Sequence, residues 1–221
     1  MSLSASTSEP AAALGRLPSG RHRIPDHQVR EHQHARLIEA ICALCAQRGY
    51  ANVVISDIVA CAGVSKSTFY RFYRSVEECL FDAHKRHCAA LIAALDRSCA
   101  GGERSSASSL RIGIRSALTH LTANPQSAHL LTIGILSCGP RGERRYAVMI
   151  DALSARVHGA GDALPADSAL TAVLFAASTI AHTILSRDEF NLLALENELV
   201  EMFLAIGERN EPQRTNRTTA G

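Results

Sequence analysis

Ala62-Gly63-Val64-Ser65-Lys66-Ser67-Thr68-Phe69-Tyr70-Arg71-Phe72-Tyr73 reads as a tight turn feeding a short helix. Gly63 can adopt the left-handed backbone that ends one helix and turns the chain sharply. The helix it ends is Ile55 to Ala62, where Ile58, Val59 and Ala62 fall on one face. Ser65 then has the side chain of an N-cap, a hydroxyl able to accept from a first-turn N–H that lacks an intrahelical partner. Helix, glycine turn and capped helix together form a helix-turn-helix pattern. The second helix carries Lys66, Ser67, Thr68, Tyr70, Arg71 and Tyr73, two cations and several hydroxyls with no acid among them. Such a face suits phosphates and base edges. Val64, Phe69 and Phe72 remain to pack it onto neighbouring helices.

The order of residues resembles the DNA-binding domain of TetR-family transcriptional regulators. The resemblance is carried by Arg48-Gly49-Tyr50, Asp57-Ile58, the quoted stretch 62–73, Ser75, Glu77-Glu78 and Leu80, and it covers about residues 30 to 85. Two positions depart from the family pattern: Val54 stands where a Ser or Thr is usual at the start of the second helix, and Val76 where a phosphate-binding Lys is common. Ser56, close to the same helix start, can supply a hydroxyl in place of the missing one. The DNA-contacting set expected here is therefore Ser56, Ser65, Lys66, Ser67, Thr68, Tyr70, Arg71 and Tyr73. The resemblance implies double-stranded operator DNA as partner, a repressor role, control by a small-molecule effector, and a homodimer.

Outward from the motif, charge agrees with this reading. The chain has a formal net charge of only +2, but residues 16–86 hold 11 Lys and Arg against 7 Asp and Glu, while residues 87–221 hold 12 against 13. The basic excess sits with the motif, as attraction to phosphate requires. Residues 1–26, rich in Ser, Ala, Pro and Gly and carrying Arg16, Arg21 and Arg23, read as a disordered basic arm. From Asp26 to Arg48, Leu37, Ile38, Ile41, Leu44 and Cys45 mark an amphipathic helix ending at Gly49. Residues 27–74 are thus the expected helix-turn-helix domain. Ser75 and Glu78 form a capping box that opens a long connecting helix, 75–97.

Residues 75–208 read as a helical ligand-binding and dimerisation domain, with 209–221 a disordered tail. Gly101-Gly102 to Ser109 breaks the helical pattern. Apolar spacing then marks helices over 109–123, 126–137, a segment containing Tyr146 to Val157, one opening at Asp167, and a last one containing Leu192 to Ile206. The stripe Leu170, Val173/Leu174, Ala177, Ala181, Ile184/Leu185, with that of the last helix, is the expected dimer seam. Paired heads also match the paired half-sites that helix-turn-helix readers bind. An effector pocket is expected among the helices spanning 109–185, whose polar groups include His120 and Ser137, with His129, Thr132, Tyr146, Phe175, Thr179 and His182 as the ligand-binding residues. Few aromatic residues occur there, so a neutral, apolar-to-amphipathic ligand fits better than a large planar cation.

The fold class expected is all-α, with an N-terminal three-helix helix-turn-helix domain followed by the helical ligand-binding and dimerisation domain. No apolar run of transmembrane length and no signal-peptide pattern is read, so a cytoplasmic protein without a membrane partner is expected. The seven cysteines, an odd number lying mostly in helical patterns, fit reduced thiols. Cys42-x-x-Cys45 reads as core packing. Cys79, His84, His87 and Cys88 leave a metal- or thiol-responsive regulator on the same scaffold as the alternative, although no metal or cofactor is assigned. Glycine-rich phosphate loops, H-E-x-x-H and G-x-S-x-G are absent, so no enzymatic activity is expected.

Overall fold

The computed structural model describes residues 25–99, 106–159, 164–186 and 191–209. The basic arm, most of the Gly101-Gly102 connection and the tail lie outside them. Among the described residues the regular structure is helical, without strands. The described residues divide into two compact units, the first ending at Arg86 and the second beginning at His87.

In the first unit, helix α1 (Asp26–Arg48), helix α2 (Ile55–Ala62) and helix α3 (Lys66–Phe72) pack with the start of helix α4 (Val76–Cys99). Periodicity explains the packing. Leu37, Ile41, Ile58, Phe69 and Leu80 sit at the spacing that turns each inward, and all five are fully buried. Cys42, Cys45 and Cys79 are buried among them, and burial pushes the Cys42 and Cys79 thiols up, holding them neutral. An Arg48–Asp57 ion pair at 2.7 Å fastens the end of α1 to α2.

The second unit contains the rest of α4, helix α5 (Ser106–Ala123), helix α6 (Pro125–His129), helix α7 (Pro140–Gly159), helix α8 (Ala166–Ser186) and helix α9 (Glu196–Arg209). α7 packs on α8, and α9 on both α5 and α8. Arg115 reaches from α5 with Nε and Nη2 each donating to the Glu196 carboxylate at 2.8 Å, a two-pronged tie to the start of α9.

Three expectations are corrected here. The segment read as one helix over 126–137 is α6 followed by a π-turn, Leu130–Gly134, and a short 3-10 turn, Leu136–Cys138. The π-turn, closed by the Ile135 N–H donating to Leu130 O at 3.0 Å, re-aims Leu131 and Thr132 toward the interior of the unit. Tight passage follows, for a methyl group at Gly142 would overlap the Ile135 carbonyl oxygen. The expected dimer stripe on α8 is divided between two faces: Val173 and Ala177, with the neighbouring Ile180, are buried in the monomer core with Leu199 of α9, while Leu170, Leu174 and Leu185 are exposed, as is Phe175 outside the stripe. Finally, α8 does have the length and mean hydropathy, 1.6, of a membrane-crossing helix, contrary to the reading that no such run occurs. Its inward residues are part of the core of the unit.

Candidate nucleic-acid interface and effector cavity

The turn between α2 and α3 forms by two backbone bonds. Gly63, at φ 59°, donates to Ala60 O, and Val64 N–H donates to Val59 O at 3.0 Å. This is a Schellman ending, and it depends on glycine taking the left-handed region. Ser65 then caps α3, its Oγ accepting from the Thr68 N–H at 3.1 Å. The Ser67 and Thr68 hydroxyls lie 2.8 and 2.9 Å from the same Oγ, so three hydroxyls form one cluster at the helix start. Val54 caps α2 by backbone alone.

Of the eight residues expected on the DNA face, Ser56, Ser65, Lys66, Ser67, Tyr70 and Arg71 are exposed and Thr68 is half-buried. Tyr70 is 57% exposed, an aromatic hydroxyl standing out from α3 beside Lys66 and Arg71. Tyr73 is placed differently, at 6% exposure. Its hydroxyl donates to Asp82 Oδ2 at 2.8 Å and is hydrogen-bonded to His34 Nε2. Around it, His34 stacks on Phe72 with centroids 5.0 Å apart, and Arg86 Nη2 donates to His34 Nδ1 at 2.6 Å. An arginine can only donate, so Nδ1 accepts and the imidazole proton resides on Nε2. Burial first, and the Arg86 charge second, hold the His34 pKa below its ordinary value against the pull of Asp82.

The second unit encloses a cavity of about 440 Å³, within the size range that holds small-molecule ligands. Its walls are Leu91 and Leu95 of α4, Leu110, Gly113, Ile114, Ala117, Leu118 and Leu121 of α5, Met149, Ile150, Leu153, Ala155 and Val157 of α7, Val173, Ala176, Ala177 and Ile180 of α8, Leu199 and Phe203 of α9, and Leu131 of the π-turn. Ser109, Thr132, Asp96 and Arg156 are the polar lining residues. Thr132 donates its hydroxyl to Ala128 O at 2.7 Å, and Asp96 and Arg156, an ion pair at 2.8 Å, are the charged residues of the lining.

Of the six residues expected to bind ligand, Thr132 lines this cavity and the other five do not. Phe175 is half exposed, Thr179 donates back to Phe175 O, and the exposed His182 contacts Ser186 Oγ through Nδ1. His129 and Tyr146 are half-buried elsewhere, with burial lowering the imidazole pKa and raising the phenol pKa. Asp96 and Arg156 were missed by the sequence reading. The signal for Arg156 was present in Leu153-x-x-Arg156-Val157, a cation set on the apolar stripe of its helix. Among the described residues no group of three His, Cys, Asp or Glu side chains converges to hold a metal ion, the Cys79, His84, His87 and Cys88 set included.

Residues 37–83 match the family described as bacterial regulatory proteins, tetR family. A comparison with curated proteins found no match. Solved structures with similar folds include the fatty acid degradation regulator FadR from Bacillus halodurans, with a TM-score of 0.69 at 14% identity, covering 78% of this chain and 94% of that one. FadR from Bacillus subtilis, solved in complex with stearoyl-CoA, gives a TM-score of 0.67 at 16% identity, covering 78% and 98%. The TetR-family regulator PfmR from Thermus thermophilus gives 0.60 at 18%, covering 77% and 97%. At these identities the likeness establishes the shared all-α fold.

Proposed function

We propose that this chain, whose residues 37–83 match the tetR family of bacterial regulatory proteins, is a transcriptional regulator of that family, a homodimeric repressor released from its operator by an effector with an aliphatic chain. The observation that carries the effector reading is the cavity of the second unit, walled by aliphatic side chains with Phe203 as its one aromatic residue. An apolar tail gains burial there, while aromatic stacking has little to offer a planar cation. That two regulators of similar fold are FadR proteins, one of them holding stearoyl-CoA, supports an aliphatic tail.

DNA is read by α3. Lys66 and Arg71 meet phosphate, Tyr70 reaches a base edge or phosphate, and the Ser65, Ser67 and Thr68 hydroxyls and Ser56 add backbone contacts that fix register. Tyr73 acts from within, holding the end of α3 through Asp82. Dimerisation uses the outer face of α8, where Leu170, Leu174, Phe175 and Leu185 expose apolar area that a second copy would cover.

Selection of bound duplexes from a random DNA library, followed by anisotropy titration of the winner, tests the DNA half. Thermal shift with a series of unbranched fatty acids, their CoA esters and alcohols tests the effector half, since a ligand preferring the native state raises Tm. A selected duplex that binds more weakly when a cavity ligand saturates the protein is the expected result. Absence of any sequence preference, or of any shift across the whole series, would refute the reading.

A further inference from the structure

The ion pair at the cavity rim joins two helices and lies beside the apolar interior. Arg156 Nε donates to Asp96 Oδ1 at 2.8 Å and Nη2 to Oδ2 at 3.2 Å, linking α7 to the last part of α4. Nη1 donates to Ala152 O at 3.0 Å, so the guanidinium is also steadied on its own helix, independently of Asp96. Three of its five donors are used, which leaves two. Both side chains reach solvent, Arg156 at 37% and Asp96 at 56% exposure. A ligand whose apolar part fills the space between Leu110, Ile114, Leu118, Ile150, Leu153 and Phe203 therefore meets, among the described residues, one cation at the rim, and that cation already holds a carboxylate. An exposed ion pair contributes little net stability, because water solvates both partners well when they separate. Giving up the Asp96 carboxylate therefore costs little, and the planar fork suits carboxylate and phosphate alike.

Resting on the reading of this cavity as the effector site, we propose that the effector is a single-tailed anionic amphiphile whose acidic headgroup takes Arg156 from Asp96. Arg156 is the headgroup anchor, and the Asp96–Arg156 bond is the contact whose loss signals occupancy. A headgroup that takes the Nε/Nη2 edge of the guanidinium, the edge Asp96 occupies, bonds there only when Asp96 has let go, so the two states differ in affinity for such a ligand, as any ligand-driven shift requires. Asp96, displaced, is repelled by the incoming anion as well as unpaired. It lies on α4, which begins at Val76, four residues after α3 ends, and continues without interruption to Cys99. Loosening its last turns is therefore transmitted along the helix that follows the recognition helix. Free fatty acid and acyl-CoA both join an apolar tail to an anionic group, the carboxylate in one and the CoA phosphates in the other.

The test compares dodecanoate, dodecanol and dodecanoyl-CoA by calorimetric titration of the full chain, with Arg156→Gln and Asp96→Asn. In the wild type, dodecanoate or dodecanoyl-CoA binds about tenfold tighter than dodecanol, the scale of a charge-assisted hydrogen-bonded pair. The tighter of the two identifies the source. Arg156→Gln abolishes that preference while dodecanol binding persists, which also shows that the variant is folded. Asp96→Asn tightens the anionic ligand, leaves dodecanol unchanged, and lowers ligand-free operator affinity toward that of the ligand-saturated wild type. Equal binding of alcohol and acid, unaltered by Arg156→Gln, would overturn the anchor while the cavity reading stands. Unchanged operator affinity in Asp96→Asn would overturn the switch. Failure of all three ligands to bind would overturn this inference together with the reading of the cavity.

Discussion

The Tyr73 hydroxyl donates to Asp82 Oδ2 at 2.8 Å, so the residue that ends the recognition helix is fastened to α4 rather than turned toward DNA. A hydrogen bond to a charged acceptor contributes about 1.5–3 kcal/mol where it is shielded, and less here because Asp82 is partly solvated. Tyr73→Phe should lower stability by about 1–2 kcal/mol in urea denaturation. Its operator affinity at saturating folded protein should fall less than that of Tyr70→Phe. Equal stability of Tyr73→Phe and wild type would show that the bond carries nothing.

Tyr70 and Lys66 give the opposite pattern, since both side chains are exposed. Tyr70→Phe and Lys66→Ala should leave the urea midpoint unchanged and weaken operator binding, by about 1–3 kcal/mol for a lost base-edge contact. A lost phosphate contact would instead flatten the salt dependence. Anisotropy titrations at several salt concentrations separate the two cases, and wild-type curves for both variants would mean that α3 does not dock by this face.

Ser65→Ala removes the cap of α3 and the centre of the three-hydroxyl cluster. The expected destabilisation is about 1 kcal/mol. Ser65→Asp, which retains an acceptor, should restore the stability, and its failure to do so would assign the effect to something other than capping.

Acidification should destabilise the protein through His34. Its folded-state pKa lies below the ordinary 6.5, chiefly from burial and then from Arg86. Between the folded and unfolded values the unfolded chain binds more protons, so stability is fully present above the unfolded pKa and falls as pH drops through 6.5 toward the folded value. His87, His120 and His129 are shifted in the same direction by burial and add to the slope. His34→Gln should flatten the urea midpoint against pH over that window; a midpoint that rises on acidification would reverse the assignment.

The helix-turn-helix was legible because its determinants are local. Gly63 and Ser65 act on backbone atoms within a few residues, and half of the capping box at α4 forms as expected, with Glu78 N–H donating to Ser75 Oγ at 3.1 Å, while the Glu78 carboxylate accepts from Arg74 N–H, one residue before the cap. Long-range packing was less legible. Apolar spacing shows that α8 has stripes but not which one faces inward, so Ala177 and Leu199 read as a seam between copies while the structure buries them in the monomer. Phe175, Thr179 and His182 share a face as expected, and that face is directed away from the cavity lining. A polar residue marks a site only where it borders space that neighbouring helices enclose, which is why Arg156, in the cavity lining, is informative and His182 is not.

Those placements change the dimerisation test. Ala177→Glu or Leu199→Arg would bury an unpaired ion and unfold the second unit, at several kcal/mol. Leu174→Arg, on the exposed face of α8, should instead yield a folded monomer by light scattering with operator binding lost. A Leu174→Arg dimer that still binds the operator would place the interface elsewhere.

The central claim, that cavity occupancy governs DNA binding, is tested most directly by titrating the selected operator with the protein at zero and at saturating dodecanoate or dodecanoyl-CoA. The account predicts a loss of operator affinity of about 1–3 kcal/mol, the usual range of coupling between two sites, with operator DNA weakening ligand binding by the same factor. Operator affinity that is identical in both titrations, with the ligand shown by calorimetry to be bound, would contradict it.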